Sequence, residues 1–268
     1  MLKYFFKAIV IAVSDICETK FECGERIEKR YEVQKCLGKG SYGISYLVFD
    51  HQNDIQVVLK TLRLHKRLTK KGRKAFEQEF NLLGNLKHPG YPQVFEQSIY
   101  NQIPYFTMEY INGKTFEQLI FQEGKVYGEK EAFQIGLELF SLISNLHQKG
   151  IIHRDVRIPN VMVVGNELKL IDFGLAKYEE ESWSVSHFKD VRKLATPLSD
   201  YYALGHFLLF LLYSQYEIRE KTKEKSWEEE LDISMDGKNV IKRLLLTSYP
   251  YENAEEVKND FIRVITRR

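Results

Sequence analysis

His153-Arg154-Asp155-Val156-Arg157-Ile158-Pro159-Asn160 places a carboxylate and a carboxamide five positions apart, and Asp172-Phe173-Gly174 adds a second carboxylate 17 positions after Asp155. A hydroxyl nucleophile needs a carboxylate to orient it and accept its proton, and Asp155 suits that role. Phosphates are handled with Mg²⁺, a hard cation that takes oxygen ligands. Asn160 and Asp172 offer one amide and one carboxylate oxygen.

Gly38-Lys39-Gly40-Ser41-Tyr42-Gly43 is a second candidate for phosphate chemistry. A dinucleotide site would put a helix directly after such glycines. Here the strand-like Ile44-Ser45-Tyr46-Leu47-Val48-Phe49 follows, so the glycines sit in a hairpin whose backbone lies close over a ligand. Lys60 ends the apolar run Val57-Val58-Leu59 and supplies a strand-mounted cation opposite that loop. It needs a carboxylate to hold it. Glu79 on the following helix is the first candidate, with Glu77 competing.

These residues need elements to position them. Tyr31–Leu37, Ile44–Asp50, Ile55–Thr61, Val94–Ile99 and Tyr105–Met108 read as strands. Leu68 to Leu86 reads as a helix with Phe76, Phe80, Leu83 and Leu86 at helical spacing, broken by His88-Pro89-Gly90. Asn112-Gly113 marks a turn. Beyond it Phe133, Leu137, Phe140 and Ile143 form an apolar stripe, and Gly150 sits at a C-cap position. Val161–Val164 and Leu168–Ile171 flank Gly165-Asn166, a hairpin signal. Tyr201–Tyr213 reads as a buried helix. A strand-rich front and a helix-rich back imply two lobes with a cleft between them.

Bulk properties set outer limits. The 268 residues are 44% hydrophobic and 28% charged, with net charge +2, which gives no global field toward nucleic acid or membrane. Cys17, Cys23 and Cys36 have no metal spacing and suit free thiols in a reducing cytoplasm. Ala8 to Val13 is too short to span a bilayer. Lys3 and Lys7 ahead of that run allow a signal-peptide reading. Leu2, Phe5, Phe6, Ile9 and Val13 share a helical face, and an amphipathic arm would dock on the protein itself or on a membrane surface.

From Tyr31 to the C-terminus the chain resembles the eukaryotic-type (Hanks-type) protein kinases, above all their small soluble bacterial serine/threonine members. Glycine loop, strand lysine, HRD-x-x-x-x-N and DFG occur in the family's order and at its spacings: 22 positions from Gly38 to Lys60 and 19 from Lys60 to Glu79. The resemblance implies an α+β bilobal kinase fold. A small β-rich N-lobe with one main helix would span residues 31–108, a hinge 109–112 and a helical C-lobe 113–268, after an arm at 1–30. It implies ATP and Mg²⁺, or Mn²⁺, as cofactors and a protein Ser/Thr substrate, with autophosphorylation. Gly38, Gly40 and Gly43 would cover the phosphates. Lys60 would bind the α- and β-phosphates and pair with Glu79. Asp155 would be the base, and Asn160 and Asp172 would hold the metal. Leu37, Val58 and Met162 would sandwich the adenine. Met108 would be the gatekeeper, with Glu109 to Ile111 as the hinge backbone. Asp200 would anchor the catalytic loop, and His153, Phe173 and Leu83 would stack as a spine.

Departures from the family pattern shape the other expectations. Val58 stands two before the strand lysine, where the family has alanine, and Ser45 replaces a valine. Arg157 replaces a lysine and keeps its charge with a different geometry. Only 28 positions separate Asp172 from Asp200, with no Ala-Pro-Glu between them. From Leu244 to Val257 no arginine stands ready to pair with that glutamate, and Tyr249-Pro250-Tyr251-Glu252 occupies the place. The activation segment is therefore shortened, which keeps a small-molecule kinase and a non-catalytic ATP-binding module as alternatives. Ser182, Ser184, Ser186 and Thr196 are candidate phosphorylation sites facing Arg154 or Arg192. Seven basic residues at 63–74 form either a solvated surface or a site for nucleic acid, anionic lipid or an acidic protein.

Overall fold

The computed structural model describes residues 14, 17–40, 42–179, 191, 194–216 and 225–267. The arm at 1–13, Ser41, Ser182, Ser184, Ser186 and Arg192 lie outside them. The chain forms two compact units, Met1–Asn112 and Gly113–Arg268.

The first unit is a six-stranded antiparallel sheet in the order β1-β2-β3-β4-β6-β5. Its strands are β1 (Arg26–Ile27), β2 (Tyr31–Lys39), β3 (Gly43–Asp50), β4 (Ile55–Leu62), β5 (Val94–Tyr100) and β6 (Ile103–Glu109). Alternation puts Tyr31, Val33, Tyr46, Val48, Val57 and Leu59 into one apolar core. Phe76 and Phe106 pack on Leu62 in a second cluster under the helix.

The helical segment read as Leu68–Leu86 is α2 (Lys70–Gly84), and a separate short helix, α1 (Leu64–Arg67), precedes it. Thr69 divides them. Its side chain accepts the Gly72 N–H at 3.0 Å and caps α2. Gly72 leaves no room for a side chain, since a Cβ there would lie 2.3 Å from Lys66 O. The basic run is correspondingly divided. Arg63 and Arg67 turn toward Glu18, Lys66 Nζ lies 3.9 Å over the Tyr42 ring, and Lys70, Lys71, Arg73 and Lys74 are exposed.

The second unit is mainly helical. It contains β7 (Lys114–Thr115), α3 (Phe116–Phe121), α4 (Glu129–His147), β8 (Ile151–Ile152), β9 (Val161–Val164), β10 (Glu167–Leu170), β11 (Lys177–Tyr178), α5 (Pro197–Tyr213), α6 (Trp227–Glu230), α7 (Met235–Leu244) and α8 (Ala254–Thr266). On α4 the buried stripe runs through Phe133, Gly136, Leu139, Phe140 and Ile143, with Leu137 half-buried. Gly136 explains the shift: a Cβ there would lie 2.7 Å from Leu208 and 2.8 Å from Phe261. α5 begins at Pro197, four residues ahead of the expected Tyr201, because Pro suits the first turn and places Asp200 within it. Among the described residues no helix is long and apolar enough to cross a membrane.

Candidate active site

In the first unit, β2 and β3 carry the glycine loop, closed by Gly40 N donating to Gly43 O at 2.9 Å. The three glycines differ. Among the described residues, a Cβ on Gly38 would meet nothing within 4 Å, and one on Gly40 only Gly43 O at 3.6 Å. One on Gly43 would lie 2.7 Å from Thr61 O and 3.2 Å from Lys60 Cε. Gly43 is thus required by the passage of β4, whereas the space beside Gly38 and Gly40 is open.

Lys60 on β4 donates to Glu79 Oε1 on α2 at 2.6 Å, with both side chains buried. Of the two carboxylates left open by the sequence, Glu79 is the partner, and Glu77 is exposed. Breaking such a pair on one side costs about 3–5 kcal/mol, because the survivor is a buried, uncompensated charge. Val58 and Ile111 are buried, Met108 is half-buried, and Leu37 is exposed. Met108 pairs with Val58 across β4 and β6. The Glu109 N–H is taken by Gln93 O at 2.7 Å. Leu83 is buried on α2.

In the second unit, α4 and α5 hold the loop between β8 and β9. Asp200 is fully buried. Its Oδ2 accepts the His153 N–H at 2.9 Å and lies 2.9 Å from His147 Nε2, and its Oδ1 accepts the Arg154 N–H at 2.7 Å. Between those bonds Arg154 takes a left-handed φ of 65°, a conformation that costs a non-glycine residue about 1 kcal/mol or more. Asp200 therefore holds the backbone in a strained turn directly before Asp155.

Asp155 is held by its neighbours. Asn160 Nδ2 donates to Asp155 O at 2.9 Å and to Oδ2 at 2.8 Å, and Arg157 Nε lies 3.0 Å from Oδ1. Because its amino group faces Asp155, the remaining donor atom of Asn160 is the amide oxygen. Ile171 N donates to Asn160 O at 2.9 Å, which ties the segment leading to Asp172 back to the loop. Asp172 has φ 60°, and its Oδ1 accepts the Gly174 N–H at 3.3 Å. The oxygens of Asn160 and Asp172 are hard donors and fit Mg²⁺ or Mn²⁺. Met162 on β9 is half-buried.

His153 is fully buried, and its ring packs edge-on to Phe173 at 4.7 Å. Burial pushes its imidazole below the ordinary pKa, with Asp200, Asp155 and Asp172 opposing. Its Nδ1 accepts the Asp155 N–H at 3.3 Å, so the neutral ring carries its proton on Nε2. Thr196 is buried at the N-cap of α5. Arg154 Nη1 donates to Leu175 O at 3.2 Å. Arg243 lies just before the stretch read as lacking an arginine, and it pairs with Glu256 and with Asp260.

Sequence reasoning missed two groups. His147 lies six positions before His153 and gives no signal beyond its type. Glu18 precedes every motif, and nothing in its neighbourhood marks it.

The sequence profile described as "Protein kinase domain" matches residues 31–267. The chain is 36% identical to the "Probable serine/threonine-protein kinase YbdM" of Bacillus subtilis over 244 residues, 90% of this chain and 92% of that protein. It is 28% identical to the "Serine/threonine-protein kinase PrkC" of the same organism, covering 88% of this chain and 41% of that protein. The crystal structure of the Mycobacterium tuberculosis PknI kinase domain superimposes with a TM-score of 0.69 at 20% identity, covering 91% of this chain and 99% of that one.

Proposed function

We propose, from the premise that this chain belongs to the protein kinase family, that it transfers the γ-phosphoryl group of ATP to Ser/Thr hydroxyls of proteins, itself included. The observation that carries the reading is the organised loop around Asp155, with its backbone pinned by Asp200 and its carboxylate held by Asn160 and Arg157. A module that only bound nucleotide would have no use for a carboxylate positioned this way. The names of the YbdM and PrkC relatives support Ser/Thr as the acceptor.

In this reading residues 31–108 are the N-lobe, 109–112 the hinge and 113–268 the C-lobe. The open space beside Gly38 and Gly40 receives the phosphates, and Lys60, held by Glu79, contacts them. Leu37, Val58 and Met108 of the first unit, and Met162 of the second, are the apolar residues assigned to the adenine. The Glu109 carbonyl and the Ile111 backbone pair with its edge. Asn160 and Asp172 hold Mg²⁺ or Mn²⁺, which supplies charge neutralisation on the transferring phosphate. Asp155 orients the acceptor hydroxyl and takes its proton, worth on the order of 10²–10⁴ in rate. Arg157 sits beside that carboxylate and carries the positive charge that the family's lysine supplies. Three exposed free thiols, Cys17, Cys23 and Cys36, support a reducing, cytoplasmic setting.

The test is transfer of labelled γ-phosphate to the protein and to a generic basic protein with Mg²⁺ or Mn²⁺. Wild type is expected to label Ser or Thr, and Asp155→Asn and Lys60→Met to lose transfer. Intact ATP binding without transfer by wild type would refute the reading.

A further inference from the structure

Ser14 and residues 17–30 lie outside the stretch that matches the family, yet they are built into the first unit. Phe21 is buried with its ring 5.5 Å from Tyr46, and its N–H donates to the Tyr46 hydroxyl at 3.3 Å. Three residues earlier, the Glu18 side chain is only 2% exposed. Its Oε1 accepts the Leu64 N–H at 2.8 Å and lies 3.6 Å from Arg67 Nη2. Its Oε2 lies 3.5 Å from Arg63 Nε. Ser14 adds a second tie, its Oγ accepting the His65 N–H at 3.0 Å.

Arg63 connects this segment to the glycine loop. Its side chain is buried, its Nη1 donates to Gly40 O at 3.2 Å, and its backbone N–H donates to Tyr42 O at 3.0 Å. One guanidinium thus spans from the Glu18 carboxylate to the backbone carbonyl of Gly40 in the loop. A guanidinium suits this bridge because its donors point in fixed, divergent directions.

We propose that Glu18 is a positioning residue for nucleotide binding: by holding Arg63 in place it fixes the backbone carbonyl of Gly40, in the glycine loop that receives the phosphates. This rests on the reading that the glycine loop covers the phosphates. Without the Glu18 charge, the buried Arg63 guanidinium loses the carboxylate that faces its Nε, and its hold on Gly40 O loosens. Gly40 O then loses its donor, and ordering the loop on binding costs more. The loss falls on ligands that carry phosphates and spares the nucleoside.

The experiment is equilibrium binding of ATP, ADP and adenosine, with Mg²⁺, to the full chain as wild type, Glu18→Gln, Arg63→Met and the double variant. Wild type is expected to bind ATP more tightly than adenosine, and failure there would sink the glycine-loop reading itself. Given that preference, Glu18→Gln is expected to weaken ATP and ADP roughly 3–10-fold, the scale of one charge-assisted contact. Adenosine should change by less than about twofold on the same scale. Arg63→Met should do the same, and the double variant should add nothing further. Arg63→Lys keeps a cation for Glu18 but gives up the fork that reaches Gly40, so it reads the same step while the ion pair is retained. An ATP-to-adenosine preference unchanged in Glu18→Gln and Arg63→Lys would overturn the proposal. So would equal weakening of all three ligands, which would assign Glu18 to the stability of the fold alone.

Discussion

Lys60 Nζ and Glu79 Oε1 meet at 2.6 Å, in an ion pair whose side chains are 7% and 3% exposed. Two positions away, Glu77 is exposed. Glu79→Ala is expected to destabilise the protein by about 3 kcal/mol in denaturant unfolding, since it takes a buried carboxylate away from a buried ammonium. It should also lower kcat/KM for phosphate transfer at least roughly tenfold, because Lys60 is no longer held. Glu77→Ala should leave both within the small range of a surface substitution, about 0.5 kcal/mol. Equal effects of the two variants would refute the assignment of Glu79.

Arg157 and Asp155 give a contrasting case. Their contact is 3.0 Å, but the Arg157 side chain is 59% exposed. An ion pair open to water adds little to stability. Arg157→Ala should therefore leave the melting temperature nearly unchanged while lowering kcat about tenfold or more, the scale of one charged contact in the transition state. Arg157→Lys should recover part of that loss, since the charge returns without the planar fork. A fall in melting temperature that matches the fall in rate would assign Arg157 to the fold instead.

The difference between what sequence discloses and what it hides follows range. The hairpin at Gly165-Asn166 was legible because the turn chemistry is local, and Gly165 takes the left-handed φ of 59° that such a turn needs. The strands on either side of the glycine loop were legible from alternation alone. Glu18 was not, because its partner Arg63 is 45 positions away and neither residue belongs to a repeating pattern. Asp200 was legible only through family resemblance, since an aspartate at the start of an apolar helix ordinarily reads as a helix-dipole partner. The start of α5 was missed because Pro197 and Ser199 interrupt the apolar run that marks the rest of the helix. The stripe on α4 was legible at Phe133, Phe140 and Ile143, but took in the half-buried Leu137 and passed over Gly136, which contributes no side chain to the pattern.

Asp200 accepts two backbone N–H groups and faces His147, with no exposure to water. Asp200→Asn turns one of these acceptors into a donor that faces an N–H. Leaving a buried donor unmatched costs about 1–3 kcal/mol, and the left-handed turn at Arg154 loses the bonds that offset its strain. The variant should melt at a lower temperature and transfer phosphate at a rate reduced on the order of 10²-fold, within the range for misplacing a catalytic group. ATP affinity should stay within about threefold, because this contact positions the acceptor side of the reaction. Wild-type turnover in a folded Asp200→Asn protein would show that the loop holds its shape without the anchor.

The acid limb of stability should be set partly by Asp50, far from the chemistry. Arg30 grips Asp50 with Nε and Nη2, each at 2.7 Å, and reaches Glu96 with Nη1 at 2.8 Å. Asn53 Nδ2 and the Gln52 N–H also donate to Asp50. The Arg30 guanidinium is the main cause that holds the Asp50 carboxyl down at about 2, against an ordinary 3.8. A carboxyl with a depressed folded pKa favours the folded state fully above its unfolded value and loses that contribution as pH falls through the folded one. The shift corresponds to about 2 kcal/mol. Denaturant unfolding followed from pH 6 downward should therefore show a loss of about that size between roughly pH 4 and pH 2 in wild type. Asp50→Asn should be less stable than wild type at pH 6, and the gap between them should close across the same window. A gap that stays constant from pH 6 to pH 2 would show that Asp50 stabilises through its neutral hydrogen bonds and not through its charge.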